Sequence, residues 1–309
     1  MKLGSFGVFN IFFGRFGQLL AVRMSHSLLE SHNLSEDNPA HRRCRPWQIA
    51  VPVVVTVIIV AICIPSIFVA LKGSNKDSTP VYVDIHIPLS DTSAYSFASS
   101  ANSFLRQQFA SSTPKGSDTN PGINFATIDT PHITLYLTAF QCPGITTDEC
   151  LKRVSEHLQT VVDALRNRPP CTITVTDAYP AGTYAMLNVS LTPCLQSYSD
   201  AVVDAIHSFS QPNQTVPGWV LSMPEPARSE KIRLVQQFGS PNVYQGFAPH
   251  VSVGWAENAS MVTSAVDKLR MDRNKQTSSF LPGMVAMGSV GAHGTVLTGK
   301  DLGKFPFKP

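Results

Sequence analysis

Between Trp47 and Leu71 the chain runs for twenty-five residues without a charge, WQIAVPVVVTVIIVAICIPSIFVAL. A helix of that length crosses a hydrocarbon layer of about 30 Å. No polar face interrupts the run, as a helix lying on a soluble core would require. Pro52 and Pro65 are tolerated in a bilayer, where neighbouring groups satisfy the carbonyls they free. The sequence therefore predicts one transmembrane helix over 47–71, with the lipid bilayer as its partner. On this reading residues 1–46 are a cytosolic tail, 72–80 (which include GSNKDSTP) a linker, 81–299 a folded domain and 300–309 a C-terminal tail.

Arg42, Arg43 and Arg45 precede the span, and only Lys72 and Lys76 follow it. The heavier basic flank stays in the cytosol, so the expectation is a single-pass type II membrane protein with its C-terminal domain lumenal or extracellular. Asn188, Asn213 and Asn258 each head an Asn-x-Ser/Thr sequon beyond the span and are candidate glycosylation sites. Cys142, Cys150, Cys171 and Cys194 lie in the same region, which suits an oxidising compartment. A second apolar stretch, Leu3–Val22, follows Lys2 and reads as a signal sequence or an interfacial helix; a cleaved signal would invert the topology.

Charge narrows the function classes. The chain holds 24 Lys+Arg against 21 Asp+Glu, a net +3. Residues 1–46 carry six basic and three acidic side chains, so the whole surplus lies there and the domain is neutral. A protein that grips long nucleic acid shows a basic excess, and none is present here.

From Val81 onward apolar periodicity sets in. VYVDIHIP (81–88) alternates as a strand, 92–109 is spaced as a helix, and HITLYLTAF (132–140) is β-branched and aromatic. A helix follows over 146–168, opened by Thr-Thr-Asp-Glu capping chemistry. Runs 172–179 and 184–191 flank Pro-Ala-Gly-Thr as a hairpin. Helices over 195–209 and 229–238, a strand over 250–255, a helix over 261–271 and a closing strand pair within 284–299 complete the order. This is an α+β rhythm with a rough internal duplication. Four cysteines admit three complete pairings. Cys171 and Cys194 flank the open end of the hairpin, which favours joining them and leaves Cys142 and Cys150 to close a strand-to-helix loop. None has the clustered Cys-x-x-Cys spacing of a zinc site, so no metal and no cofactor is expected.

Two pentapeptides stand out, Pro131-His-Ile-Thr-Leu135 and Pro249-His-Val-Ser-Val253. Each opens a predicted strand that leads to a helix, whereas the third His-x-Thr, at His293, lacks that setting. Residues two apart share a strand face, which groups His132, Thr134 and Tyr136, and likewise His250, Ser252 and Gly254. Side by side, such strands would line one cleft with two imidazoles and two hydroxyls. Two imidazoles near pKa 6.5 can divide phosphodiester cleavage, one removing a proton from the attacking oxygen and the other protonating the leaving oxygen. The hydroxyls of Thr134 and Ser252 would donate to the non-bridging phosphate oxygens. Tyr136 would stack on a base, with Gly254 leaving room for the ligand.

In these motifs, their spacing and the order of elements, residues 81–299 resemble the two-histidine phosphoesterase superfamily, which includes bacterial RNA ligase-like proteins and cyclic nucleotide phosphodiesterases. The resemblance implies an α+β, bilobal fold of pseudo-twofold antiparallel sheets flanked by helices, here preceded by the transmembrane helix. It implies metal-independent cleavage of a 2′,3′-cyclic phosphate or an RNA 3′ end, with a nucleotide or RNA end as substrate. Carried over, the catalytic pair is His132 and His250, and the phosphate ligands are Thr134 and Ser252. A nucleotide-binding or scaffold module of the same fold, without chemistry, is the alternative.

Overall fold

The computed structural model describes residues 79–112, 122–273 and 276–307. The expected span at 47–71, the tail before it and the stretch Leu3–Val22 lie outside the described residues, as does most of the linker. Among the described residues no helix is long and apolar enough to cross a membrane.

The domain begins with β1 (Val81–Pro88), whose alternation sends Val83, Ile85 and Ile87 into the core on one face and presents Asp84 and His86 on the other. After α1 (Ser93–Ser112), β2 (Asp129–Thr130) and β3 (His132–Phe140) come α2 (Thr147–Arg166), the hairpin β4 (Ile173–Ala181) and β5 (Tyr184–Val189), and α3 (Pro193–Ile206). The chain continues through α4 (Gly218–Leu221), α5 (Ala227–Phe238), β6 (His250–Trp255), α6 (Ala259–Arg273), β7 (Ser278–Phe280), β8 (Met284–Val290) and β9 (Val296–Pro306). Local chemistry sets several boundaries. Thr146 and Thr192 cap α2 and α3 by accepting the backbone N–H of Glu149 and Leu195 at 3.3 Å. Gly239 ends α5 at φ +71°, where a side chain would be strained and would also strike Thr138 and Gln214.

Two curled antiparallel sheets result, flanked by helices. One has the order β2-β9-β8-β1-β3 and the other β6-β5-β4-β7. Helices α2 and α3 pack together over the first sheet, against β9 and β3 respectively. Helices α1 and α6 pack together over the second, α1 against β6 and β7, and α6 against β4 and β5. Both histidine strands are therefore edge strands, and β3 lies against β6 where the sheets meet.

The cysteines pair as Cys142–Cys150 and Cys171–Cys194. The first ties the exit of β3 to the first turn of α2, and the second ties the entry of β4 to the first turn of α3. Strand β9 corrects the expected tail at 300–309, because its ladder with β8 runs on to Met284↔Pro306 and buries Phe305. Residues 298–302 of that strand are exposed on both faces, so they lack the apolar alternation that marks a half-buried strand. The short strands β2 and β7 and the single turn α4 were too brief to carry a period.

Candidate active site at the two histidine strands

The first pair of strands, β1 and β3, and the second, β5 and β6, are built alike. Pro88 lies opposite His132 and His86 opposite Thr134; Asn188 lies opposite His250 and Met186 opposite Ser252. In each pair the ladder then skips one residue of the histidine strand. It steps from His86↔Thr134 to Ile85↔Tyr136, leaving Leu135 extra, and from Met186↔Ser252 to Ala185↔Gly254, leaving Val253 extra. Such a bulge frees a carbonyl from regular pairing. A buried side chain from the covering helix takes up each one: Ser199 of α3 donates to the Leu135 carbonyl, and Asn102 of α1 to the Val253 carbonyl, both at 2.9 Å. The backbone N–H of Leu89 bonds the carbonyl of Pro131, and that of Val189 bonds the carbonyl of Pro249.

The bulges overturn part of the face assignment made from simple alternation, since a slip of one residue exchanges the two faces. Tyr136 falls opposite Ile85, fully buried, where it donates from Oη to the Phe238 carbonyl at 2.5 Å and meets Phe140 edge-on. It is a core residue, its hydroxyl pushed up to about 12 by burial, and it has no open face for a base. Gly254 likewise turns away from the histidines. A Cβ there would touch Leu105 and Phe109 of α1 at 3.2 Å, so the space it leaves belongs to the helix and not to a ligand. In exchange, Leu137 and Trp255 join the histidine faces, opposite Asp84 and Tyr184. Trp255 stacks on His293 with ring centroids 4.2 Å apart.

His132 and Thr134 share one face of β3, His250 and Ser252 one face of β6; the two strands are in contact, and His132 lies within electrostatic reach of His250. Each imidazole is oriented by its own backbone: Nδ1 of His132 bonds the Thr130 carbonyl at 2.7 Å, and Nδ1 of His250 bonds the Ala248 carbonyl at 2.9 Å. Because a carbonyl only accepts, Nδ1 carries the hydrogen in both rings, and Nε2 is the nitrogen free to exchange a proton. Neighbours within electrostatic reach then separate the two. Burial alone would push His132 down, but the Asp84 carboxylate, aided by the Thr130 carbonyl and Asp129, outweighs it and raises the imidazole above its ordinary value. Burial lowers His250, and the charges of His132 and Lys231 lower it further against the Ala248 carbonyl and Asp84.

Asp84 and His86 escaped the sequence reading as members of this site. Asp84 is fully buried; its Oδ2 accepts the Thr134 hydroxyl at 2.7 Å and lies 3.5 Å from His132 Nε2. His86, which looked like an ordinary strand residue, is buried edge-on against His132 with ring centroids 5.1 Å apart. Its burial, with the nearby charge of His132, lowers it to about 4, so at neutral pH it carries no charge. The signal that was available is the alternation of 81–88, which places Asp84 and His86 together on the polar face of a strand. Lys231 of α5 was also missed. Its Nζ donates to the Gly246 carbonyl at 2.7 Å, just ahead of the second motif. Tyr244 and Phe247, in the same approach, pack against the core.

The three sequon asparagines are exposed. Asn188 lies opposite His250 in the ladder and so shares its face. No protein-family model matches the chain, and no curated protein sequence matches it.

Proposed function

We propose that this domain is a two-histidine phosphodiesterase of the bilobal type, cleaving a small cyclic phosphate of the 2′,3′-cyclic nucleotide class or an RNA 3′ end. The observation that carries this reading is the repeated device in β3 and β6: a histidine two residues before a hydroxyl, Nδ1 anchored to the carbonyl two residues back, and a bulge directly after the hydroxyl. The anchor leaves Nε2 of each ring for proton exchange, His132 is within electrostatic reach of His250, and their unlike surroundings suit an acid and a base. The two imidazoles can supply both proton transfers, so the reaction draws on no metal or cofactor. Ser252, half-buried on the His250 face, is placed to donate to a non-bridging oxygen as charge builds there.

Full-length protein in detergent should open a 2′,3′-cyclic nucleotide in the presence of EDTA. His132→Ala and His250→Ala should each lower kcat/KM by about 10²–10⁴-fold, the usual share of a general acid or base. Unchanged turnover in either variant removes the mechanism. One observation favours a binding module without chemistry: the Thr134 hydroxyl already gives its hydrogen to Asp84, which takes one expected donor away from a phosphate. Mononucleotide binding by calorimetry, with no product formed, would establish that second reading.

A further inference from the structure

The two strand pairs share register, bulge and backbone anchor, yet the residues beside the histidines differ. The positions of Asp84 and His86 in the first pair are held by Tyr184 and Met186 in the second. Resting on the two-histidine reading, we propose that Asp84 is a positioning residue that makes His132 the proton-bearing imidazole and hence the general acid, leaving His250 as the neutral general base.

A carboxylate buried completely is costly unless a cation accompanies it. Asp84 Oδ2 has the Thr134 hydroxyl at 2.7 Å, and its Oδ1 has no hydrogen-bond partner. The groups facing this cluster are His86 on β1, Asp129 on β2, His250 on β6, Lys231 on α5 and Asp301 on β9. His132 Nε2 is in direct reach of Asp84, at 3.5 Å. That is longer than the roughly 2.7–3.2 Å of an N–H···O hydrogen bond, so the carboxylate stabilises a charge on the ring without consuming the Nε2 proton. His86 Nδ1 is 3.7 Å from Asp84 Oδ1 and bonds the Asp84 backbone carbonyl at 3.1 Å. It covers the carboxylate as an uncharged lid and keeps water from weakening the pair. His250 has Met186 and Tyr184 where His132 has His86 and Asp84, and a second positive charge there would repel both His132 and Lys231.

The chemistry then runs one way. A water oxygen forms a bond to phosphorus while its proton passes to Nε2 of His250; the bond from phosphorus to the ring oxygen breaks, and that oxygen takes the Nε2 proton of His132. Exchange with solvent returns both rings to their starting states.

The test reads the rings directly. In full-length protein with ¹⁵N-labelled imidazoles, His132 should titrate above His250. Asp84→Asn, which keeps an oxygen for Thr134 but removes the charge, should lower the His132 midpoint by about one to two pH units. It should move the alkaline limb of the kcat/KM profile on a 2′,3′-cyclic nucleotide to lower pH by the same amount, because an acid must hold its proton. Met186→Leu should leave that limb in place. The opposite titration order in the wild-type protein, which needs no folded variant, overturns the assignment; so does movement of the acid limb alone in Asp84→Asn. If the order holds while His132→Ala and His250→Ala both leave turnover intact, the phosphodiesterase reading falls and the acid role falls with it.

Discussion

The first histidine strand and the second make the same turn of backbone, yet one is backed by a buried carboxylate and a neutral imidazole, the other by an aromatic ring and a thioether. Main-chain hydrogen bonds, proline anchors and bulges repeat in the two pairs. Side chains do not. Positioning and electrostatics are separable here: the backbone anchors repeat in both rings, while the neighbouring strand supplies a carboxylate that raises the pKa of His132 and has no counterpart beside His250. An edge position matters as well, because an inner strand would have a hydrogen-bonded neighbour on the side where β3 and β6 now face each other.

The sharpest break of that comparison lies in stability. His132→Ala should destabilise by about 3–5 kcal/mol, since it leaves Asp84 as an uncompensated buried charge, whereas His250→Ala removes no partner of a carboxylate and should cost about 1 kcal/mol or less. Urea melts of both variants at pH 7 check this, and equal losses would mean that the two halves are energetically alike.

A pH dependence follows from His86 and has no counterpart at Met186. The folded protein holds His86 at about 4 while the unfolded chain takes up the proton near 6.5. The stability from keeping this ring neutral is therefore complete above 6.5, declines as pH falls towards 4, and levels off below. The loss amounts to about 3 kcal/mol. His86→Met, which copies the second half, should abolish that part of the slope when denaturation is compared at pH 7 and pH 4.5.

Smaller effects test the likeness of the halves. Ser199→Ala and Asn102→Ala each leave a bulge carbonyl unpaired in the core and should cost about 1–3 kcal/mol. Asn102 should be the costlier, because it also donates to the Ile123 carbonyl and accepts from the Phe125 backbone. Thermal melts rank them. The smallest change is Tyr136→Phe, which loses one hydrogen bond worth about 1 kcal/mol and should leave KM for a nucleotide unaltered; an altered KM would return Tyr136 to the site.

The strands Val81–Pro88, His132–Phe140 and His250–Trp255 were legible to the residue because β-branched alternation began and ended with them. Helix starts were legible where Thr caps stood, as before α2. The cysteine partners followed from the hairpin. What the same reasoning missed was a matter of register: nothing in HITLY or HVSVG distinguishes a strand that continues its alternation from one that bulges at Leu135 or Val253. Tyr136 and Gly254 were accordingly placed on the wrong face.

By itself the sequence determined which residues were candidates, a matched pair of histidines each followed by a hydroxyl, because strand periodicity is local and written in neighbouring side chains. Tertiary structure decided that Asp84 and His86 join them and that Tyr136 does not. Bulges and charge pairing depend on which strand lies alongside and on what the opposite helix can satisfy, and those contacts join residues some fifty to a hundred and fifty positions apart.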